Sequence, residues 1–252
     1  PTYLYIVGSY GAEPIIAAAR ELNIRTFEFQ HGSIGRGHLG YDFRDWSHVP
    51  YFPDRLLAFG PDWFHEVSVS CDCEITPVGY APLEESILEA TTRIERNPKQ
   101  LLVLSQGPVA DELLRHAAVF AERRPDWHVL IRPHPSENTA TLQTKMERHT
   151  STRNWHVDSA HTLEEHAAAS AAAFGVNSTA LIQALLTGCR VACLKTSSSA
   201  NYFEKVIQDG YVGGVSDGDH LAMVVDDLPY GTARGYFVEP VSDVVSCLEE
   251  EK

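Results

Sequence analysis

The stretch FGVNSTALIQALLTGCRVACLK, residues 174–195, decides the fold of this chain. A short apolar run stops at Asn177-Ser178-Thr179, which are residue types that cap helices. The apolar segment that follows predicts a helix ended by Gly188, and Arg190 to Leu194 predicts a buried strand. A strand, a polar turn and a helix in this order leave backbone N–H groups at a sheet edge, a site suited to phosphate. The alternative is a plain helix cap without a ligand.

The composition indicates a globular protein that has to hold any anionic ligand locally. The chain has 252 residues, of which 44% are hydrophobic, so it can form one large or two small α/β domains. Its net charge of −14 argues against nucleic-acid partners and against a polybasic grip on lipid. Five scattered cysteines indicate a reducing compartment, and Cys71-Asp72-Cys73 lacks zinc-ligand spacing. Without a long apolar run, we expect a cytoplasmic protein with at most peripheral membrane association.

Strands and helices alternate along the chain, which predicts an α/β fold with parallel, doubly wound sheets. Turn signals divide the sequence into a first Rossmann-like domain, a junction, a second Rossmann-like domain and a tail with a helix. The ranges are 1–80, 81–98, 99–229 and 230–252. Asp62 to Val69 and Val241 to Glu250 are expected to be helical. Because the chain starts directly on a strand, the first domain is expected to be reduced or to lack an amino-terminal part.

A glycine-rich segment, residues 30–41, follows the second predicted strand. Gly35 to Gly40 matches the dinucleotide pattern G-x-G-x-x-G, but no convincing helix follows, and Pro50 and Pro53 come soon after. The segment is therefore interpreted as a mobile loop over a cleft, with His31 at its root on the carboxyl end of a strand. Open α/β sheets bind ligands at that position. The alternative is an ordinary loop histidine.

Three polar turns of the second half each follow a predicted strand. They are Ser105-Gln106-Gly107, Arg132-Pro133-His134-Pro135 and Asn177-Ser178-Thr179. In a parallel sheet all three lie at one edge, so they can converge on one ligand. Arg132 and His134 can neutralise a diphosphate while the prolines stiffen the turn. A rigid turn with a surface histidine is the alternative.

The motifs resemble those of GT-B transferases that build bacterial surface polysaccharides of the capsule and teichoic-acid type. The similarity is carried by Gln30-His31-Gly32 with its glycine loop, by Arg132 to Pro135, and by Gly175 to Leu181 with Leu185 and Gly188. The resemblance implies two Rossmann-like domains with a cleft between them. The most similar groups use cytidine-activated donors: CDP-glycerol glycerophosphotransferases and transferases of CMP-sialate or CMP-Kdo. This chain departs from the Trp-His-Gly-Thr-Pro motif of the glycerophosphotransferases, and the acidic motif of the sialyl-type enzymes is not recognisable.

The resemblance implies a role for each matching position. His31 is the candidate catalytic base, and the residues Asp42, Asp45 and Glu28 remain alternatives. For donor binding, the resemblance implies His134 with Pro135 and Ser178 with Thr179. The three polar turns add Ser105, Gln106, Gly107, Arg132 and Asn177 as expected donor-binding residues, and the loop glycines are Gly32, Gly35 and Gly37. No metal or other cofactor is required.

The implied function is transfer of a sugar or polyol-phosphate from a CDP- or CMP-linked donor to a glycan acceptor. Two alternatives use the same fold: a transferase of UDP-sugars, and a nucleotide-sugar epimerase or hydrolase. A third alternative, from another class, is a non-catalytic subunit that binds nucleotide sugars.

Overall fold

The computed structural model describes residues 3–43, 49–70, 72–196, 203–231 and 234–244, and it contains two compact α/β units. The first unit comprises Pro1–Glu84 and Arg234–Lys252, and the second comprises Glu85–Ala233. The segment from Arg234 onward thus belongs to the first unit, whereas the sequence suggested a separate tail from residue 230. Among the helices of the described ranges, none is long and apolar enough to cross a bilayer.

The first unit is built on a four-stranded parallel sheet in the order β1-β2-β3-β4. Its elements are β1 (Tyr3–Val7), α1 (Glu13–Glu21), β2 (Arg25–Phe29), β3 (Arg55–Ala58) and β4 (Glu74–Pro77). The chain returns to the first unit at Arg234, and the part from there onward is the returning segment. It packs on this sheet, because Val238 donates its N–H to the carbonyl of Phe59 at 3.0 Å and Val241 donates its N–H to the carbonyl of Val78 at 2.9 Å.

The helix expected over Asp62 to Val69 is wrong, since only a short 3-10 helix forms at Pro61–Phe64. Carbonyl groups of the returning segment accept hydrogen bonds from the backbone and a side chain of this turn. Asp62 donates its N–H to the carbonyl of Gly235 at 3.0 Å, and the buried Trp63 donates its indole N–H to Tyr236 at 2.7 Å. These tertiary bonds tie the turn to residues 235 and 236, and the helical turn ends at Phe64.

The second unit is built on a six-stranded parallel sheet. The elements from the junction onward are α2 (Ala81–Arg93), β5 (Asn97–Leu104), α3 (Ala110–Arg123), β6 (His128–Arg132), α4 (Thr139–His149), β7 (Trp155–Val157), α5 (Leu163–Ala169), β8 (Ser170–Gly175), α6 (Thr179–Leu186), β9 (Arg190–Leu194), α7 (Glu204–Gln208), β10 (Gly213–Val215) and α8 (Gly218–Val224). The predicted junction, 81–98, contains α2 and the first residues of β5. The expected carboxyl-terminal helix falls mostly on residues 245–250, outside the described residues.

The strand order of this sheet, β10-β9-β8-β5-β6-β7, reverses direction at β5. The chain leaves β5 toward β6 on one side and later returns to place β8 on its other side. Helices that leave neighbouring strands on opposite faces of a sheet open a crevice at the carboxyl ends of those strands. The reversal therefore positions the turns after β5, β6 and β8 around one crevice.

The stretch that opened the sequence analysis forms β8, α6 and β9 as predicted. Phe174 and Val191 are fully buried, so the apolar runs of β8 and β9 lie inside the second unit. Gly188 follows α6 with φ +82°, a conformation that glycine adopts without strain. The guanidinium of Arg96 donates to the carbonyls of Thr187 and Gly188, which satisfies acceptors at the carboxyl end of α6.

Candidate functional site

A cavity of about 560 Å³ lies at the carboxyl ends of β5 to β8, wholly within the second unit. It is lined by Leu104, Ser105, Arg132, Pro133, His134, Pro135, Ala160, His161, Thr162, Leu163, Glu164, Ser178, Ala180 and Gln183. The structure thus brings one or more residues from each of the three predicted turns to one cavity. Gln106, Gly107, Asn177 and Thr179 lie on the same turns, but they are not among the residues that line it.

Arg132 supplies the fixed positive charge of the cavity. Its Nη1 donates to the carbonyl of His161 and lies 3.0 Å from Nδ1 of His166. Its remaining guanidinium N–H groups have no partner among the described residues, so they can bind a ligand. Partial burial lowers the pKa of Arg132, opposed by nearby carboxylates such as Glu164, yet a guanidinium stays charged at neutral pH.

His134 presents a second donor next to Arg132. The backbone N–H of Ser136 donates to Nδ1 of His134 at 3.2 Å, so Nδ1 is an acceptor and the neutral ring carries its proton on Nε2. That Nε2–H group is suited to donate to an oxyanion. The turn itself is held by Glu137, whose two carboxylate oxygens accept from the N–H of His134 at 2.8 Å and from Oγ of Ser105 at 3.1 Å.

Glu137 was not identified by sequence analysis, although it ties the turn after β5 to the turn after β6. The available signal was its spacing, because a carboxylate three residues after His134 can reach back to that residue's backbone N–H, as in a capping box. The contact with Ser105 spans 32 positions and has no local sequence signature.

Ser178 serves as a helix cap and as a cavity residue at once. Its Oγ accepts from the N–H of Ala180 at 3.2 Å, which makes it the N-cap of α6. The hydroxyl proton is left free to donate, and the first backbone N–H groups of α6 lie at the same end of the helix. Both interpretations of this segment from the sequence are therefore compatible with its geometry.

A cluster of titratable groups adjoins the cavity after β7. Oδ2 of Asp158 lies 2.7 Å from Nδ1 of His161 and 3.1 Å from Nε2 of His166, and Oδ1 accepts from the N–H of Ala160 at 2.7 Å. Burial opposes ionisation of Asp158, but these hydrogen bonds outweigh it and hold the pKa of Asp158 well below its usual range. The spacing Asp158-x-x-His161 was a signal that sequence analysis did not use.

The first unit has its own cavity, of about 410 Å³. Its lining residues are Ser9, Tyr10, Glu13, Leu39, Gly40, Asp42, Phe43, Val49, Tyr51 and Phe52. Asp42, one of the candidate bases, lies here and accepts backbone N–H groups with both oxygens, from Gly37 at 2.6 Å and from Ser68 at 3.1 Å. Its carboxylate therefore stabilises the glycine-rich loop. Asp45, another candidate base, lies outside the described residues.

His31 lies at the root of that loop, two residues after the end of β2, and it is exposed. Its Nε2 is 2.7 Å from the hydroxyl of Tyr10, which lines the cavity of the first unit. The preceding residue, Gln30, is buried and bridges the loop to the sheet, since its amide contacts the carbonyl of Gly32 and the N–H of Phe59. This clamp fixes the backbone on either side of His31. Gly37 has φ +79°, so glycine is favoured at that loop position.

Glu28, the remaining candidate base, is fully buried. One of its oxygens accepts from the N–H of Ser9 at 3.1 Å and from the hydroxyl of Tyr41. The other oxygen is buried and has no hydrogen-bond partner among the residues that the structure describes. Burial, together with the Glu28 carboxylate, raises the pKa of Tyr41, which therefore stays a hydrogen-bond donor. Because Glu28 is completely buried, an acceptor substrate cannot reach its carboxylate from the solvent. Glu28 is therefore a weaker candidate for the catalytic base than His31.

Comparison with known proteins places this fold in context. No protein-family model and no curated protein sequence matches the chain. Solved structures do match. A UDP-GlcNAc 2-epimerase from Neisseria meningitidis, bound to UDP-GlcNAc, aligns with a TM-score of 0.56 at 14% identity over 94% of this chain and 74% of its own. The calicheamicin glycosyltransferase aligns with a TM-score of 0.58 at 14% identity over 92% of this chain and 66% of its own.

The chain has a GT-B fold. A wall teichoic acid polymerase shares this fold with a TM-score of 0.50 at 12% identity, over 82% of this chain and 59% of its own. The GT-B prediction made from the sequence is therefore confirmed for the fold, with two parallel α/β domains. At this level of identity the likeness defines the architecture alone, and the cytidine donor and the site residues stay predictions.

Proposed function

We propose that this protein transfers a sugar or polyol-phosphate group from a nucleotide-activated donor to a glycan acceptor in surface-polysaccharide synthesis. The observation that carries the proposal is the cavity at the strand-order reversal of the second unit. There Arg132, with N–H groups that have no partner in the described part of the chain, lines the same cavity as His134 and Ser178. In a chain of net charge −14, this is a local concentration of donors suited to an anion.

The donor diphosphate is the part of the substrate that this cavity fits. The guanidinium of Arg132, the Nε2–H of His134 and the hydroxyl of Ser178 all donate, and the dipole of α6 adds positive potential at its amino end. As the bond to the transferred group breaks, negative charge develops on the leaving phosphate. Donors already fixed by Glu137 and by the cap of α6 stabilise that charge without reorganising.

In this proposal His31 is the base that removes the proton from the acceptor hydroxyl. An exposed imidazole can accept a proton from a hydroxyl group, and the hydroxyl of Tyr10 orients the ring of His31. The aromatic side chains Tyr10 and Tyr51 and the carboxylate of Asp42 line the neighbouring cavity, which offers stacking and hydrogen bonding to a sugar.

Two observations bear on which nucleobase the donor carries, and they favour different ones. The motif resemblance favours a cytidine nucleotide, whereas the epimerase that shares the fold is bound to UDP-GlcNAc. A UDP-sugar transferase and a UDP-sugar epimerase or hydrolase are therefore the second candidates, and a protein that only binds nucleotide sugars is the third.

Calorimetric titration with CDP, CMP, UDP and ADP tests the binding proposal first. We expect cytidine nucleotides to bind most tightly, and a preference for UDP would reject the cytidine donor while keeping the cavity as the donor site. Failure of all four to bind would reject the proposal.

Turnover then separates the candidate activities. The preferred donor is incubated with and without a glycan acceptor. Release of nucleotide only with acceptor supports transfer, release or rearrangement without acceptor supports the epimerase or hydrolase, and absence of any reaction supports the binding subunit.

A further inference from the structure

The cluster beside the cavity has the composition of a metal site, since Asp158, His161 and His166 each present a ligand atom within 4.8 Å of the others. Arg132 decides against that interpretation. A guanidinium only donates hydrogen bonds, and its Nη1 lies 3.0 Å from Nδ1 of His166, so Nδ1 must accept. The proton of the neutral ring then sits on Nε2 and points to Oδ2 of Asp158 at 3.1 Å. A metal on Nε2 would displace that proton and place a cation next to Arg132.

The same hydrogen bonds form a chain that ends at the cavity. The N–H of Ala160 fixes Asp158, Asp158 fixes the tautomer and orientation of His166, and His166 accepts from Arg132. His166 is only 4% exposed, so its ring is held by packing as well. A long arginine side chain loses considerable entropy when it is ordered on a ligand, and a prefixed guanidinium avoids that loss.

We propose that Asp158 and His166 are positioning residues that hold the guanidinium of Arg132 ready for the donor diphosphate. This inference rests on the proposed function, because it assigns to Arg132 the phosphate contact. Neither Asp158 nor His166 is among the residues that line the cavity. Both act through Arg132, which lines the cavity and keeps guanidinium N–H groups that have no partner among the described residues.

The arrangement predicts that acid weakens donor binding. A protonated His166 would present an N–H group at Nδ1 to the cationic Arg132 and could no longer accept from it. Three charged or titratable groups face His166: Arg132, Asp158 and His161, while Glu164 and Glu165 act more remotely on Arg132. Burial, helped by Arg132 and His161 and opposed by Asp158, lowers the pKa of His166. The ring is therefore mostly neutral at pH 7, and the chain of hydrogen bonds breaks as the pH falls through that lowered pKa.

The test measures the dissociation constant of the full-length protein for its preferred nucleotide sugar between about pH 5 and 8. Each phosphate of an intact nucleotide sugar, one in a CMP-linked donor and two in a diphosphate donor, is substituted on both sides and does not titrate in this range. We expect His166→Leu to weaken binding about tenfold at neutral pH, equivalent to ~1.4 kcal/mol, because Arg132 loses its acceptor. His166→Asn places a carbonyl oxygen near the former Nδ1, so it should retain most of the affinity and lose the additional weakening in acid.

Asp158→Asn is the second variant. Its amide N–H group would favour the opposite tautomer of His166, so binding should weaken at neutral pH although the side chain keeps its size. Thermal unfolding of each variant identifies any loss of folded protein. If both His166→Leu and Asp158→Asn fold and bind like the unmodified protein while Arg132→Ala binds weakly, the positioning role is refuted and the donor site stands. If Arg132→Ala also binds normally, the proposed donor contact itself is refuted.

Discussion

Substitutions of Ser178 can show whether this residue only caps α6 or also contacts a phosphate, because different substitutions affect the two functions differently. Ser178→Ala removes the acceptor for the N–H of Ala180, and a lost N-cap costs about 1 kcal/mol. For a unit of this size that corresponds to a melting temperature lower by ~2–4 °C. If the hydroxyl also donates to a charged phosphate, its loss removes a further ~1.5–3 kcal/mol from donor binding, which is roughly a 10- to 100-fold weaker affinity.

Asn138→Ala is the matched control. Asn138 caps α4 by accepting from the N–H of Thr141 at 3.1 Å, and it is not among the residues that line the cavity. It should lower the melting temperature by a similar amount and leave nucleotide affinity unchanged.

Ser178→Asp provides the opposite control. Aspartate is a good N-cap and its charge suits the helix dipole, so stability should be kept or raised by ~0.3–1 kcal/mol. The carboxylate would nevertheless repel a diphosphate, and binding should become weaker than in Ser178→Ala. Thermal unfolding and calorimetric titration of the three variants give both quantities. If Ser178→Asp binds nucleotide as the unmodified protein does, Ser178 is a cap only and the phosphate contact is refuted.

Three further predictions concern other positions. His134→Ala should raise the dissociation constant of the bare nucleotide about five- to tenfold by removing the Nε2–H donor. Unchanged affinity in calorimetry would show that His134 does not contact the nucleotide and that the turn from Arg132 to Pro135 is only a rigid connection. His31→Ala should keep donor affinity and lose on the order of 10²–10⁴-fold in the maximal transfer rate, and a near-normal rate at saturating acceptor would exclude it as the base. Gly79→Ala should lower the free energy of unfolding in urea by more than Gly210→Ala does. Both glycines have positive φ, but only at Gly79 would the added Cβ meet another atom, the carbonyl oxygen of Val238 at 2.6 Å. Equal losses of stability would contradict that packing.

The sequence by itself determined the elements of this protein and the turns between them. Strands such as β8 and β9 are recognisable because their apolar runs are bounded by Ser178 and Gly188, whose cap and positive φ are local properties. Parallel pairing then follows from strand–helix alternation. For this reason the sequence alone predicts Ser105, Arg132 and Ser178 at one edge of a sheet.

Only the tertiary structure decided which side chains support that edge and where the end of the chain packs. Glu137 bonds to Ser105 across 32 positions, Arg132 bonds to His166 across 34, and Trp63 donates to Tyr236 across 173. Such contacts produce no periodic pattern and no local motif in the sequence. They depend on the order of the strands in the sheet and on which buried polar groups still need a hydrogen-bond partner. For the same reason the expected helix at Asp62 gave way to a short turn that bonds to a segment from the far end of the sequence.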